Sequence, residues 1–528
     1  MSRHNKAIWA FLHIIAIVTV FVCLLTGLRI AVLDRPYLLH VSGLLPQGEM
    51  HSVHLLSATL FTLCVLSYLV HRLMGRMYVL AKIKTRNTSI RFHTALTRFL
   101  YVVCIFSVAS GWLLFSDTLV GSNTTVLLIH YVSALLLLFY VIVHGGAWFI
   151  EFGARAFSRM FNPFKTTRQV YATVFTVLLL VPVSWGLLLQ STHHTLEVKQ
   201  IDQRHYIEID GRIDDTIWKE AKPITLSTHG GANFKDGSTS ITLRALQNGA
   251  ELFMYIEWQD ETQSLAHLPL IKTENGWQIQ QQGFHEFNET KYYEDKLAIM
   301  LSDNCEFAGA GTAHLGPKPL KDKPAHWTGQ GYHYTTGSPV DLWHWKAVRT
   351  NHMRLMDDNF IGKPDILRHG SRRYTAGYKT DARESGAYKE NWTWYSDQYV
   401  EPKRLPLNRE WLAPYQADGN IQEAEIPWIM TWFDGKPYTK EHDDLPVGTV
   451  LPSILYTSNQ FEGDRANVRA YATWNEGTWS LELFRKLDTQ SESDVAIKDG
   501  TCLWIAAFDQ AQIAHTRHVR PIQLRFHQ

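Results

Sequence analysis

His130 and His144 lie in one apolar stretch, LLIHYVSALLLLFYVIVHGGAWFI, fourteen residues apart. On an α-helix that spacing is ~21 Å of rise and close to four whole turns, so both imidazoles point the same way. The stretch is long enough to cross a bilayer, which puts one ring near each membrane face. An ionisable side chain is costly inside lipid and is kept there for a function. Neutral imidazole is an axial ligand for haem iron. Two such rings on one helix face at opposite depths predict two stacked haems, hence a path for electrons across the lipid.

Such a helix needs ligands at equal depth on its neighbours. Five apolar segments are readable, over roughly 7–32, 51–74, 95–115, 126–150 and 171–189. The first follows Arg3 and Lys6, lacks a small-residue cleavage site and carries His13, so it reads as an uncleaved span rather than a secretion signal. Charge sets the orientation. The second connection, with its flanks, holds Arg72, Arg76, Lys82, Lys84, Arg86, Arg91 and Arg98 and no acid; the fourth holds Arg155, Arg159, Lys165 and Arg168 against Glu151. The other two hold little more than Asp34, Arg35, Glu49 and Asp117. By the positive-inside rule the basic connections and the N-terminus are cytoplasmic. Five spans then place everything after Ser191 on the opposite side, the periplasm of a bacterium.

This orientation sorts the histidines by depth. His54 pairs with His130 for an outer haem, and His13 with His144 for an inner one. Orientation rests on charge alone, so the match in depth is a separate result. His51 competes with His54; the two open the same span about 60° apart, and His54 is the deeper. His71 lies about 100° off the His54 face and reads as interfacial, as do His4 and His93. Gly27, Gly111, Gly145 and Gly146 leave room for a porphyrin edge or for close helix packing. A lone membrane histidine more often bonds a neighbouring helix; four at matched depths favour haem.

The order and spacing of these histidines resemble a known family. His13 with the LLTGLRI ending of the first span, His54 in HSVHLLSATLF and the His130/His144 pair are similar to the di-haem cytochrome b of the formate dehydrogenase gamma-subunit and nickel-iron hydrogenase type (cytochrome b561-type). The resemblance covers about the first 190 residues. It implies two b haems and a quinone site commonly near the inner haem, with no quinone ligand assigned to a residue.

The remaining chain is different in kind. The 528 residues exceed one ordinary domain, and beyond Gln190 the sequence is polar, rich in Trp, Tyr, Asp and Gly, with no further run long enough to span. A net charge of +1 gives no basis for nucleic-acid binding. Cys23, Cys64 and Cys104 lie in apolar runs as small core residues, while Cys305 and Cys502 can pair if their part lies outside the cytoplasm. No CxxCH occurs, so covalent c-type haem is not supported. ITLRAL, ELFMYIEW, KLAIMLS, CLWIAAFD and IQLRF read as strands, and VRAYATW and TWSLELFRKL as a hairpin around a turn at Asn475, Glu476 and Gly477. Short strands with few helical patterns predict an all-β sandwich.

IEIDGRIDDTIWKEA resembles the start of family-nine carbohydrate-binding sandwiches, in which an Asp-Gly turn precedes a buried Trp, here Trp218. A haem-binding branch of that sandwich, the ethylbenzene dehydrogenase gamma-subunit type related to DOMON cytochrome domains, is resembled through YYEDKLAIM, SPVDLWHWKAVR, GTWSLELFRKL and AHTRHVRPIQLRF, over nearly all of 200–526. The resemblance implies one b haem at an end of the sandwich. One axial ligand follows the KLAIM-like strand and the other precedes the last strand. CEFAGAGTAHLG offers His314; AHTRHVRP offers His518 or His515, and His314 with His518 is the expected pair. The ethylbenzene type uses Met and Lys, so this sequence departs from it and Met300 stays a candidate. His344 in DLWHWK is another, expected to pack over or near the haem. A long polar and aromatic stretch at about 317–452, with His326, Trp327, His333, Arg372 and Arg373, exceeds an ordinary loop. It is expected to wrap the haem edge, to dock a partner, or to be a surface insertion.

The expectation is a membrane all-α bundle of five transmembrane helices over 1–192, followed by a periplasmic β-sandwich over 193–528 with an insertion at 317–452. As a respiratory-chain component it would carry electrons between the quinone pool and a periplasmic c-type cytochrome or molybdenum oxidoreductase, through two membrane haems and a third in the sandwich. No catalytic constellation is readable. The reading from another class is a membrane anchor displaying a sandwich that binds a carbohydrate or other small ligand. Such an anchor needs no membrane histidines.

Overall fold

The computed structural model describes residues 3–32, 35–46, 50–74, 87–116, 123–153, 155, 182–183, 186, 193–283, 289–306, 314–315, 333–335, 337–365, 377–396, 398–412, 428–458 and 461–527. It divides into two compact units, Met1–Thr192 and His193–Gln528.

The first unit contains α1 (Arg3–Ala31), α2 (His51–Leu73), α3 (Asn87–Ser116) and α4 (Asn123–Phe152). All four are long and apolar enough to cross a membrane. Among the described residues there are four such helices, not the five expected; the segment at 171–189 lies outside the described residues apart from 182, 183 and 186. The main packing is α1 along α2 and α3 along α4. Val20, Phe61, Leu96, Val103, Cys104, Leu137 and Tyr140, drawn from all four helices, form a buried core. Phe21, Ile105, Phe139 and Ile142 are exposed on the outside, as lipid-facing side chains must be.

The second unit is built on one twelve-stranded sheet. Its strands are β1 (His194–Gln200), β2 (Ile224–His229), β3 (Ser238–Gln247), β4 (Glu251–Gln259), β5 (Lys296–Ser302) and β6 (Val340–Lys346). The rest are β7 (Asp357–Ile361), β8 (Tyr378–Thr380), β9 (Arg469–Asn475), β10 (Thr478–Lys486), β11 (Cys502–Phe508) and β12 (Ile522–His527). The order is β8-β7-β6-β5-β11-β12-β1-β3-β4-β10-β9, with β2 also on β3. β1 is parallel to both its neighbours, β12 and β3. It thereby joins two otherwise antiparallel arms. The arms close over one core, in which Leu297, Ile299, Leu301 and Leu503 meet Leu243, Ile256 and Leu481. At its centre Trp345 of one arm lies 5.6 Å from Trp258 and 4.9 Å from Trp479 of the other, ring centre to ring centre.

Local chemistry fixes the ends. Asn475 pairs with Thr478, leaving a two-residue turn in which Glu476 (φ 45°) and Gly477 (φ 82°) are both left-handed. That geometry matches the twist of the hairpin. Gly211 (φ 78°) sits where a Cβ would come within 2.9 Å of the Thr473 backbone nitrogen. Its N–H and that of Asp210 donate to the Glu482 carboxylate, both at 2.9 Å, and the Trp218 indole donates to the same group at 2.7 Å. Trp218 is fully buried, as the resemblance implied. Cys305, just past β5, is disulfide-bonded to Cys502 at the start of β11.

The stretch at 317–452 is not one insertion. Residues 340–346, 357–361 and 378–380 are strands of the main sheet. Much of the remainder builds a second core with residues 266–293, where Leu270, Trp277, Val400, Leu405, Trp428, Leu451 and Ile454 are buried together. The Trp277 indole donates to Asp443 at 2.8 Å across that lobe. Short strands of three to five residues, paired across long sequence separations, hide such a lobe from periodicity.

Asp260, Asp295 and Asp509 end or precede β4, β5 and β11, with carboxylate oxygens within 4.8 Å of one another. Burial, reinforced by Asp509, pushes Asp260 up to about 8, and burial pushes Asp509 up to about 6. A folded-state value above the unfolded one, ~3.9 for Asp, gives stability that is complete at low pH and lost as pH rises through the folded value. The unfolding midpoint of this unit, read by Trp fluorescence on the full chain, should therefore fall from about pH 4 to about pH 8 and level off above. Asp260→Asn keeps an acceptor for the Thr262 N–H (3.1 Å) but cannot ionise. It should flatten that fall and raise the pH 8 midpoint by about 3 °C or more; parallel pH curves for the two proteins would refute the assignment.

Candidate functional site

The four membrane histidines meet in two pairs. His13 of α1 and His144 of α4 have ring centres 6.3 Å apart at 63°. His54 of α2 and His130 of α4 have ring centres 6.3 Å apart at 85°. A metal–imidazole bond is ~2.0 Å, and a ring nitrogen lies about 1 Å from its ring centre, so two imidazoles held end-on by one metal have centres about 6 Å apart. Both pairs have that separation.

In the His54–His130 pair the tautomer is set as well. The Thr26 hydroxyl donates to the Val22 carbonyl of its own helix at 2.7 Å, so toward His54 Nδ1, 2.9 Å away, it accepts. The Ser110 hydroxyl likewise donates to Phe106 O at 2.6 Å and lies 3.0 Å from His130 Nδ1. The Ser107 carbonyl, which can only accept, is 3.2 Å from the same nitrogen. Both Nδ1 atoms therefore carry the proton, and both Nε2 atoms carry the lone pair a metal needs. The glycines next in sequence admit the rings. A Cβ at Gly27 would lie 3.1 Å from His54 Cε1, and one at Gly111 would lie 3.1 Å from His130 Cε1. These two glycines thus make room for imidazoles rather than for a porphyrin edge; nothing lies within 4 Å of a Cβ at Gly145 or Gly146. Thr26-Gly27 on α1 serves α2, and Ser110-Gly111 on α3 serves α4. Sequence reasoning missed both hydroxyls, although each directly precedes a glycine it had noted.

The His13–His144 pair has an aromatic setting. Tyr140 stacks on His144 at 5.1 Å and 15°. His93 of α3 is 6.4 Å from His144 and 5.3 Å from Trp148, so it belongs to this cluster rather than to an isolated headgroup position. Its Nε2 is 3.2 Å from Glu151, which leaves His13 as the ring better placed to share a metal with His144. His51, the competitor of His54, is half-buried on the first turn of α2. The side chains of His4 and His71 lie outside the described residues.

In the β unit only the His518 half of the expected pair can be compared with the structure. The His314 main chain pairs with Tyr334 in a two-residue strand, and its side chain lies outside the described residues. His518 is buried with both ring nitrogens on the main chain. Nε2 accepts from the Ile505 N–H at 2.9 Å, and Nδ1 donates to Arg520 O at 2.7 Å. The ring pins β11 to the turn before β12 and keeps no lone pair for iron. His515 differs: Nδ1 donates to Thr516 O at 2.7 Å, which directs the other nitrogen's lone pair outward. Burial pushes it down to about 4, so it is neutral at ordinary pH. Its ring lies 4.9 Å from Phe508 of β11, and that of His344 of β6 lies 6.3 Å from the same phenyl. Burial holds His344 well below the usual histidine range, and the Tyr378 hydroxyl is 3.3 Å from its Nδ1.

These rings lie over the sheet face opposite the tryptophan core. Register puts His344, Ala298 and Ala506 in one row, Leu342, Met300 and Trp504 in the next, and Lys346, Lys296 and Phe508 in the row on the other side. The two alanines leave the surface low beside His344. Lys296 donates to Gln512 O at 2.9 Å, and its ammonium is 4.1 Å from the Phe508 ring centre, so it is held in place rather than reaching out. His515, His344 and Met300 are the donors a haem on this face could use.

Residues 215–520 match the profile of the family described as ethylbenzene dehydrogenase. The chain belongs to that family. Membership associates the β unit with a redox family and covers β2 to β11, including His344, Met300, His515 and His518. No curated protein matches the chain. Among solved structures, a proposed carbohydrate-binding protein from Bacteroides uniformis aligns with 63% of this chain and 99% of its own, at 8% identity and a TM-score of 0.25. A family 9 carbohydrate-binding module from Caldicellulosiruptor kristjanssonii, in complex with glucose, aligns with 63% and 97%, at 9% identity and a TM-score of 0.22. Similarity at this level carries no information on function.

The hydroxyls that orient the His54–His130 pair give a direct test. Thr26→Val and Ser110→Ala each remove an acceptor from Nδ1 and should loosen a haem held between His54 and His130 by roughly 10–100-fold. Haem transfer to an apoprotein acceptor measures this. Unchanged retention in both variants would remove the hydroxyls from the site.

Proposed function

We propose that the chain is a membrane-anchored b-type cytochrome that carries electrons between the quinone pool and a redox partner outside the cytoplasm. One haem lies between His13 and His144 near the cytoplasmic face, and a second between His54 and His130 near the outer face. The observation that supports this most is the repeated pair separation of 6.3 Å, with both outer rings turned to offer Nε2. A histidine that merely hydrogen-bonds a neighbouring helix needs neither feature.

The β unit holds a third b haem on the β6–β5–β11 face. His515 replaces His518 as its ligand from the segment before the last strand, and His344 or Met300 supplies the other side. Membership of the ethylbenzene dehydrogenase family and the disulfide between Cys305 and Cys502 support a redox unit outside the cytoplasm. The partner is a c-type cytochrome or a molybdenum oxidoreductase. Reduction or oxidation of quinone takes place in the lipid, and the protein's task is to hold iron, set its potential by ligand and burial, and fix the distances between centres.

A reduced-minus-oxidised spectrum of the purified chain should show b-type bands, with three haems per chain. His515→Ala should leave two haems and an intact membrane pair, whereas His518→Ala should lower thermal stability and keep three. Absence of b-type bands would sink the reading, and loss of a haem in His518→Ala but not in His515→Ala would reverse the ligand assignment.

A further inference from the structure

Inside the β unit four carboxylates converge on one guanidinium. Asp341 is on β6, Asp358 on β7, Asp381 just past β8 and Asp494 in the segment before β11; Arg485 comes from β10. Oxygens of Asp341, Asp358 and Asp494 lie within 4.8 Å of one another. Asp341 and Asp358 are 0% exposed and Asp381 4%. Arg485 reaches one oxygen of Asp341 at 3.0 Å and one of Asp494 at 2.8 Å. Asp381 is not one of those three, yet its carboxyl faces Asp494 and Asp341.

The other oxygens lack a donor. Among the described residues, Asp341 Oδ1, Asp494 Oδ1, both oxygens of Asp358 and both of Asp381 find no N–H or hydroxyl donor; Asp358 lies against Asp341, and Asp381 against Asp494, carboxyl to carboxyl. The adjacent Asp357 shows the contrast. It bonds Lys346, Arg465 at 2.7 Å and the Tyr388 hydroxyl at 2.5 Å. Four carboxylates against one guanidinium leave an excess of three negative charges. An unpaired buried carboxylate costs several kcal/mol, so something positive must enter, either protons or a cation. Burial and mutual repulsion raise Asp381 to about 8 and Asp358 well above the carboxylate range, which measures the same strain.

We propose that Asp341, Asp358, Asp381 and Asp494 form a Ca²⁺ site. The donors are oxygen only, which selects hard cations, and several carboxylates from separate elements suit the large, adaptable shell of Ca²⁺ better than the tight octahedron of Mg²⁺. The surroundings hold the donors in place. Asp494 accepts from the Thr489 hydroxyl at 2.5 Å and from Asn467 at 3.1 Å, and Asp341 accepts from the Val495 N–H at 3.2 Å. A cation here ties the edge of one sheet arm, β6 to β8, to the segment that enters β11.

The full chain, purified in detergent with Ca²⁺ and desalted, is the test, read by elemental analysis before chelation and by thermal unfolding before EGTA, after EGTA and with Ca²⁺ added back. The wild type should retain one more Ca²⁺ per chain than an Asp358→Asn/Asp381→Asn variant, and its midpoint should fall on chelation and recover with Ca²⁺. The variant, freed of two charges, should fold without metal and lose the Ca²⁺ response. Equal calcium in both proteins, or a wild-type midpoint that ignores chelation and instead rises on acidification, would overturn the site in favour of protonated carboxyls.

Discussion

A neutral imidazole in hydrocarbon has one donor and one acceptor, and lipid can satisfy neither. That constraint organises the membrane unit. Thr26 and Ser110 answer the donor, because each hydroxyl has already returned its own proton to the carbonyl one turn back. Gly27 and Gly111 let the rings come close enough to be reached. What remains on His54 and His130 is the Nε2 lone pair of each, the atom through which the proposed haem iron would be held. Helix pairing, small residues and hydroxyls thus serve one demand.

The β unit meets the opposite difficulty, with many polar groups and few apolar ones to spare. It answers with three separate cores among the described residues, one around Trp258, Trp345 and Trp479, one around Trp277 and Trp428, and a smaller one around Trp218. The first core occupies one face of β5, β6 and β11. Their other face is left for His344, Met300, Phe508 and, beside it, His515. Strand alternation therefore does two jobs in the same three segments: odd positions in β5 hold the sandwich together and even positions furnish the proposed haem surface.

Much of this was legible because periodicity is local. Fourteen residues on a helix fix a direction and a depth, so the four membrane histidines could be sorted from spacing and flanking charge alone. Alternation marked the long strands, and the Asp-Gly turn marked Trp218. The misses share a different cause. His515 and His518 stand three residues apart in one segment, and only the main-chain partners of each ring separate a ligand candidate from a structural pin. Thr26 and Ser110 look like ordinary small polar residues until the carbonyl that takes their proton is known. The lobe within 317–452 is stitched from short strands whose partners are distant in sequence. The four carboxylates come from four segments, and no window of sequence contains them together.

The helix contacts have a consequence for assembly. α1 packs mainly on α2, and α3 on α4, while α1 and α4 touch little. Each hairpin supplies one histidine of the His54–His130 pair together with the hydroxyl and glycine that orient it. Yet both histidine pairs run between hairpins, α1 to α4 and α2 to α4. The hairpins also share the core of Val20, Phe61, Leu96 and Leu137, so the proposed haems would complete a seam that apolar packing begins. In such a bundle, membrane insertion and iron loading would be successive stages of one folding reaction, the proposed haems tightening a seam that packing has begun.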